Sequence, residues 1–108
     1  MNIFCAGDIV RFMTQGESQK ALHFKALVLS DAKFNALGMP LVAPIVDGPV
    51  GRFEGVSVQL RESGQKGHIL LNLVRSLDLC ERFALVVDRA APEVMEETKA
   101  KLRAINGL

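Results

Sequence analysis

Residues 26–46 read Ala26-Leu27-Val28-Leu29-Ser30-Asp31-Ala32-Lys33-Phe34-Asn35-Ala36-Leu37-Gly38-Met39-Pro40-Leu41-Val42-Ala43-Pro44-Ile45-Val46, and their order decides the fold. Four consecutive apolar residues, Ala26 to Leu29, leave no face for water, so they predict a strand buried on both sides and central in a sheet. Ser30 or Asp31 can cap a short helix running through Phe34 and Leu37, and Gly38 stands where a left-handed C-cap residue belongs. Leu41 to Val46 is a second strand, in which Pro44 cannot donate to a ladder and so asks for an edge or a bulge. A strand, a helical turn and a returning strand describe a compact sheet.

Outward from this unit the rhythm continues. Gly7-Asp8 is a turn signal, and Ile9, Val10 and Phe12 make a first strand ending near Met13. Thr14 to Ala21 is polar and reads as a flexible loop. After the loop Asp47-Gly-Pro-Val-Gly51, Val56, Val58 and Leu60 alternate with Ser57 and Gln59, the mark of a strand with one wet face. Glu62 to Gly67 is a turn. Ile69–Val74 and Phe83–Val87 are further strands, the second closing at Asp88. From Pro92 the period changes: Val94, Met95, Thr98, Leu102 and Ile105 fall on one helical stripe, Glu97 and Lys101 pair at i,i+4, and Gly107 ends the helix. The class is therefore mostly β with helices, an α+β domain spanning residues 1–108.

Charge and cysteine content narrow the function. Thirteen Lys+Arg stand against 12 Asp+Glu, so no global field draws the chain onto a polyanion, and such a partner must meet a local patch. Cys5 and Cys80 are far apart with no metal-ligand spacing, which points to a reduced, cytoplasmic protein without metal or cofactor. The N-terminus lacks the shape of a signal peptide, and the longest uncharged apolar run, Met39–Val46, holds two prolines, so no membrane span is expected. Phosphate-loop, dinucleotide and serine-hydrolase motifs are missing as well.

Several words of the sequence resemble, in order, those of the MazF/Kid (PemK-like) toxins. Gly7-Asp8-Ile9 resembles their G-[DE]-I opening. Ala26-Leu-Val-Leu-Ser30 with Phe34-Asn35 is similar to their RP-x-V-V-L-S strand and FN turn, and Leu41-Val-Ala-Pro-Ile45 to their V-x-P strand. Gly55-Val-Ser-Val-Gln-Leu60 and Arg75-Ser-Leu-Asp-Leu79 resemble the F-x-V-x-L strand and the [RK]-[ST]-I-D segment. The collinear match runs from about residue 7 to residue 106. It implies an SH3-like β-barrel or curved antiparallel sheet with a C-terminal helix, a homodimer, and a cognate antitoxin over the working surface. It also implies a toxin and growth inhibitor of the plasmid-maintenance kind that cleaves single-stranded mRNA without a metal. The alternative is a non-nuclease toxin or a degenerate binding protein on the same scaffold that acts through a protein target, as the similarly folded CcdB toxins act on DNA gyrase.

Such cleavage needs a base for the 2′-hydroxyl proton, an acid for the leaving oxygen and donors for the charge on phosphorus. Where the family has Arg-Pro, this chain has Phe24-Lys25, with His23 just before. The strand-end Thr is Val46, the Asp-Gln pair is Asn72-Leu73, an occasional Arg is Leu70, and a first-loop His is Glu17. The candidate catalytic residues are accordingly His23, Lys25, Asn72 and Arg75, and the candidate RNA contacts Glu17, Lys20, Arg52 and His68. An amide at Asn72 cannot serve as a base. His23 places an imidazole, a candidate acid or base, beside a cation, and also reads as a loop-end residue facing water. Arg75 can clamp a phosphate or pair with Asp78 or Glu81. With no Trp or Tyr, base stacking falls to Phe12, Phe24 or Phe53, residues that also suit a core.

Overall fold

The computed structural model describes residues 3–15 and 21–107. Its strands are β1 (Asp8–Gln15), β2 (Ala21–Val28), β3 (Leu41–Val46), β4 (Ser57–Gln59), β5 (His68–Leu70), β6 (Arg75–Ser76) and β7 (Leu85–Arg89). A short helix α1 (Ala32–Asn35) follows β2, and the long helix α2 (Pro92–Asn106) closes the described chain. The strands form one curved antiparallel sheet in the order β4-β5-β3-β2-β1-β7, with β6 also on β3. The path is open from β4 to β7, so of the two forms expected the curved sheet is found and the closed barrel is not.

Both faces of the sheet are covered, which explains the continuous apolar run from Ala26 at the end of β2. Val10, Phe12, Ala26, Val28 and Val42 face a cluster completed by Phe4, Leu77, Leu79 and Ala84. Ile9, Leu27, Ala43 and Ile45 face the other way, onto Val58, Ile69, Leu71 and Val94 of α2. Alternation along β2 thus serves two cores with adjacent residues.

Local chemistry settles the caps. Asp31, not Ser30, caps α1, its carboxylate accepting from the Phe34 N–H at 3.0 Å. Ser30 instead accepts from the Leu41 N–H at 2.8 Å and donates to the Asn35 side chain. Asn35 is buried and donates to the carbonyls of Phe4 (2.7 Å) and Ser30 (2.8 Å), tying the N-terminus to the β2–β3 connection. Helix α1 stops at Asn35, short of Leu37. Helix α2 begins with Pro92 and ends at Gly107 in the left-handed conformation, with Glu97 bridging Arg61 (3.1 Å) and Lys101 (3.3 Å). Val94 and Thr98 of its stripe are fully buried, but Ile105 in the last turn is exposed.

Four stretches differ from the sequence reading. β1 runs on to Gln15 and β2 starts at Ala21, so the loop between them is shorter than expected. Val56 ends a 3-10 turn, Gly51–Val56, and only Ser57–Gln59 is strand. Ser57 is buried rather than wet, because Lys101 reaches over it and donates to its carbonyl at 2.7 Å. Phe83 has a positive φ of 53° and belongs to a turn, so β7 begins at Leu85 and continues to Arg89.

The fourth difference builds the site. Strand β3 is central, paired with β2 on one side and with both β5 and β6 on the other, so Pro44 is not on an edge. Ile45 and Val46 pair with β5 and Leu41 and Val42 with β6, while Ala43 and Pro44 have no partner on that side. A proline offers no N–H there, so nothing pins the neighbouring chain. The run expected as one strand, Ile69–Val74, accordingly breaks after Leu70 into a 3-10 turn, Leu71–Leu73, and resumes at Arg75.

Candidate functional site

The break opposite Pro44 opens a cleft of about 470 Å³ lined by Phe12, Phe24, Pro44, Val46, Leu73 and Val74, with Lys25, Ile45, Asn72 and Arg75 completing the wall. Phe12 and Phe24, directly paired across β1 and β2, stack at 5.9 Å between ring centroids with an interplanar angle of 26°. Phe12 is buried and Phe24 is 44% exposed, so the second ring is the one available at the surface. The 3-10 turn leaves Asn72 exposed, and β6 sets Arg75 opposite Val42, on the Phe12 side of the sheet. Among the described residues Arg75 makes no ion pair, and Asp78 spends its carboxylate on the Glu81 N–H at 3.1 Å. A cation, an amide and an exposed aromatic face share one apolar cleft, a set that can hold a phosphodiester and stack its base.

The remaining candidates fall elsewhere. Lys25 contributes to the cleft wall, yet its Nζ donates to the Lys66 carbonyl at 3.2 Å and lies 3.5 Å from Gln65 Oε1, toward the turn after β4. His23, exposed and two residues before Lys25, projects from the same face of β2 as Lys25, opposite to Phe24. Arg52 lies over the Phe53 ring at 5.0 Å in the Gly51–Val56 turn and lines neither cleft. Glu17 and Lys20 lie outside the described residues. His68 starts β5, paired with Val46 on one side and Gln59 on the other, and lines a second cleft of about 390 Å³ with Pro49, Glu54, Ser57, Gln59 and Lys101.

Sequence reasoning missed how Pro44 produces the site and that Gly67 positions His68. Gly67 has φ +125°, and a Cβ there would stand 2.8 Å from the Val46 carbonyl and 2.9 Å from Ile45 Cγ2. Only glycine lets the turn approach β3 this closely. The proline and the Gly-His step were the available signals. Among the described residues no three His, Cys, Asp or Glu side chains gather into a metal-binding group, and no helix is long and apolar enough to cross a membrane.

Comparison with known proteins agrees with this architecture. The chain is 43% identical over 108 residues to the endoribonuclease toxin ChpB of Escherichia coli K12, covering 94% of this chain and 93% of ChpB. It is also similar to MazF–MazE crystal structures from Deinococcus radiodurans. One crystal form superposes with a TM-score of 0.88 at 27% identity over 100% of this chain and 99% of the other, and another with a TM-score of 0.86 at 27% identity over 99% of each. A family model described as the PemK-like, MazF-like toxin of type II toxin-antitoxin systems matches residues 6–106, and the chain belongs to that family of toxins.

Proposed function

We propose that this toxin is a metal-independent endoribonuclease acting on single-stranded mRNA in the cytoplasm, as one domain over residues 1–108, and that the Arg75–Asn72 cleft is where the phosphodiester sits. The observation that carries the reading is the Arg75 guanidinium, which makes no ion pair among the described residues, sharing one apolar cleft with Asn72 and the exposed Phe24 ring. In this reaction the 2′-oxygen bonds to the adjacent phosphorus while the P–O5′ bond breaks, leaving a 2′,3′-cyclic phosphate and a 5′-hydroxyl. Negative charge grows on the non-bridging oxygens, where a guanidinium in an apolar setting is worth most. The Asn72 amide donates to the same phosphate or to the 2′-oxygen and orients it. Proton exchange at both oxygens passes through water at the open mouth of the cleft. The relative ChpB is itself named an endoribonuclease, which supports the same chemistry here.

The partner reading follows the same surface. The structural relatives are MazE–MazF complexes, and we assign this chain a cognate antitoxin that covers the cleft, using exposed Phe24 and Leu73 as apolar anchors. A homodimer is the expected assembly, and exposed Phe83, Leu85 and Val86 at the β7 edge offer it apolar surface. The MazF- and PemK-like matches favour RNA as target over a gyrase-like protein.

Induced expression with primer extension on total RNA is the test. Growth arrest with new, sequence-specific RNA ends is expected for the wild type, and Arg75→Ala should remove both. Arrest with intact RNA would overturn the ribonuclease assignment.

A further inference from the structure

One row of directly paired residues crosses the helix-covered face of the sheet: Val58, Ile69, Ile45, Lys25, Arg11 and Leu85, on β4, β5, β3, β2, β1 and β7 in turn. Directly paired residues share a face. The first three are buried in the cluster that α2 covers, whereas Lys25 is half-buried and Arg11 is exposed, so the cover ends where the cations begin. Phe24, the neighbour of Lys25 on β2, points the other way, toward the Arg75 cleft.

Two cations directly opposite one another on neighbouring strands repel and weaken a sheet. No carboxylate offsets this among the described residues, where none of the ion pairs includes Arg11, Lys25 or Lys66. The Lys25 ammonium reaches only neutral acceptors, the Lys66 carbonyl at 3.2 Å and Gln65 Oε1 at 3.5 Å, which brings the exposed Lys66 to the same place. The carboxylates of this face are committed elsewhere. Asp88 accepts the Gly64 N–H at 2.7 Å and the Arg89 N–H at 2.8 Å, Glu62 bonds the Glu93 side chain, and Glu97 bridges Arg61 and Lys101. Three cations are thus left over on one patch of a chain whose net charge is only +1.

Single-stranded nucleic acid is held by several phosphate contacts, each of which releases counterions. The lone guanidinium of the Arg75 cleft can position one phosphodiester but holds a strand weakly, so the other phosphates must meet cations elsewhere. We infer that Arg11, Lys25 and Lys66 form a phosphate track on the face opposite the Arg75 cleft, taking backbone phosphates of the same RNA strand beyond the scissile one. The Arg11 fork clasps one phosphate through two N–H groups. Lys66 and the remaining ammonium proton of Lys25 meet the next, on cations about one strand spacing, or about 5 Å, apart. Contacts to phosphate read no base, so the track holds every sequence alike. The inference rests on the ribonuclease reading only in taking single-stranded RNA as ligand.

The test is fluorescence anisotropy over a salt series, with the whole protein and end-labelled 2′-O-methyl oligoribonucleotides, which lack the nucleophilic hydroxyl and report binding without cleavage. A trinucleotide fills the cleft alone, and a mixed-sequence dodecanucleotide is long enough to continue onto the track. The dodecanucleotide should bind more tightly and with a steeper salt dependence. Arg11→Gln and Lys66→Gln should each lower that slope by about 0.7, the value of one single-strand phosphate contact, and weaken every sequence alike. Arg11→Lys should restore most of the slope, and Arg75→Ala should weaken both lengths. Neither Gln variant should alter trinucleotide binding, and Arg11→Gln should not lower the unfolding midpoint, since it removes a like-charge pair. A dodecanucleotide slope that Arg11→Gln leaves unchanged, or an equal loss at both lengths, overturns the track while leaving the nuclease standing. A labelled poly-glutamate peptide that loses affinity in Arg11→Gln when the dodecanucleotide does not also overturns it, giving the row to an acidic protein segment. A wild type that binds neither oligonucleotide overturns the track and the ribonuclease reading together.

Discussion

Asn35, Gly67 and Arg75 show how single side chains set this site. Asn35 is buried and satisfies two backbone carbonyls and one hydroxyl, so Asn35→Ala strands three polar groups at once. A loss of about 2–3 kcal/mol is expected in urea unfolding followed by circular dichroism, the chain having no Trp or Tyr to report by fluorescence. Gly67→Ala meets the backbone of β3 and a left-handed φ together, and should cost at least as much while displacing His68. Arg75→Ala on β6 and His23→Ala on β2 separate the two faces of the sheet. Purified Arg75→Ala should lose at least a hundredfold in cleavage rate on an RNA substrate, as removal of one charge-stabilising donor does, whereas His23→Ala should stay within about twofold. An equal loss at His23 would place the chemistry on the opposite face of the sheet.

At the scale of elements, the sequence revealed which residues pair and concealed where the chain bends. The continuous apolar run at 26–29 and the stripe from Val94 to Leu102 correspond to the central strand and the packed helix because each pattern is local and periodic. The run from Ile69 to Val74 misled, since a straight strand would put Leu71 and Leu73 on one side. The 3-10 turn sends Leu71 into the core at 3% exposure and Leu73 outward at 50%, and its cause is Pro44 on another strand. The candidates Asn72 and Arg75 were thus legible as residues, but their meeting with Phe24 depends on a contact between distant segments. Helix α2 carries its own prediction. The Glu93 carboxyl is held below its ordinary value of 4.5, first by a backbone N–H in the opening turn, then by the Glu62 side chain and the Arg61 charge. A depressed folded value means this stabilisation is present above the unfolded value and disappears as pH falls through the folded one. Thermal melts should therefore show a midpoint falling below about pH 4.5 in the wild type, with a shallower fall in Glu93→Gln.

For the whole molecule, the decisive feature is one sheet with two apolar clusters on opposite faces, sharing β1, β2 and β3 but no side chain. Adjacent residues such as Leu27 and Val28 belong to different clusters, so either cluster can be weakened without touching the other's contacts. Leu79→Ala empties part of the face beneath the Arg75 cleft and should cost about 2–5 kcal/mol, while Ile69→Val trims the helix-covered face and should cost about 0.5–1.5 kcal/mol. Because the sites share no partner, the double variant should lose the sum within about 0.5 kcal/mol. Their common strands should still make unfolding a single transition, with amides of β2 exchanging at the global rate in every variant. A coupling above about 1 kcal/mol would mean that the sheet transmits strain between its faces, and α2 would then bear on the cleft it does not touch.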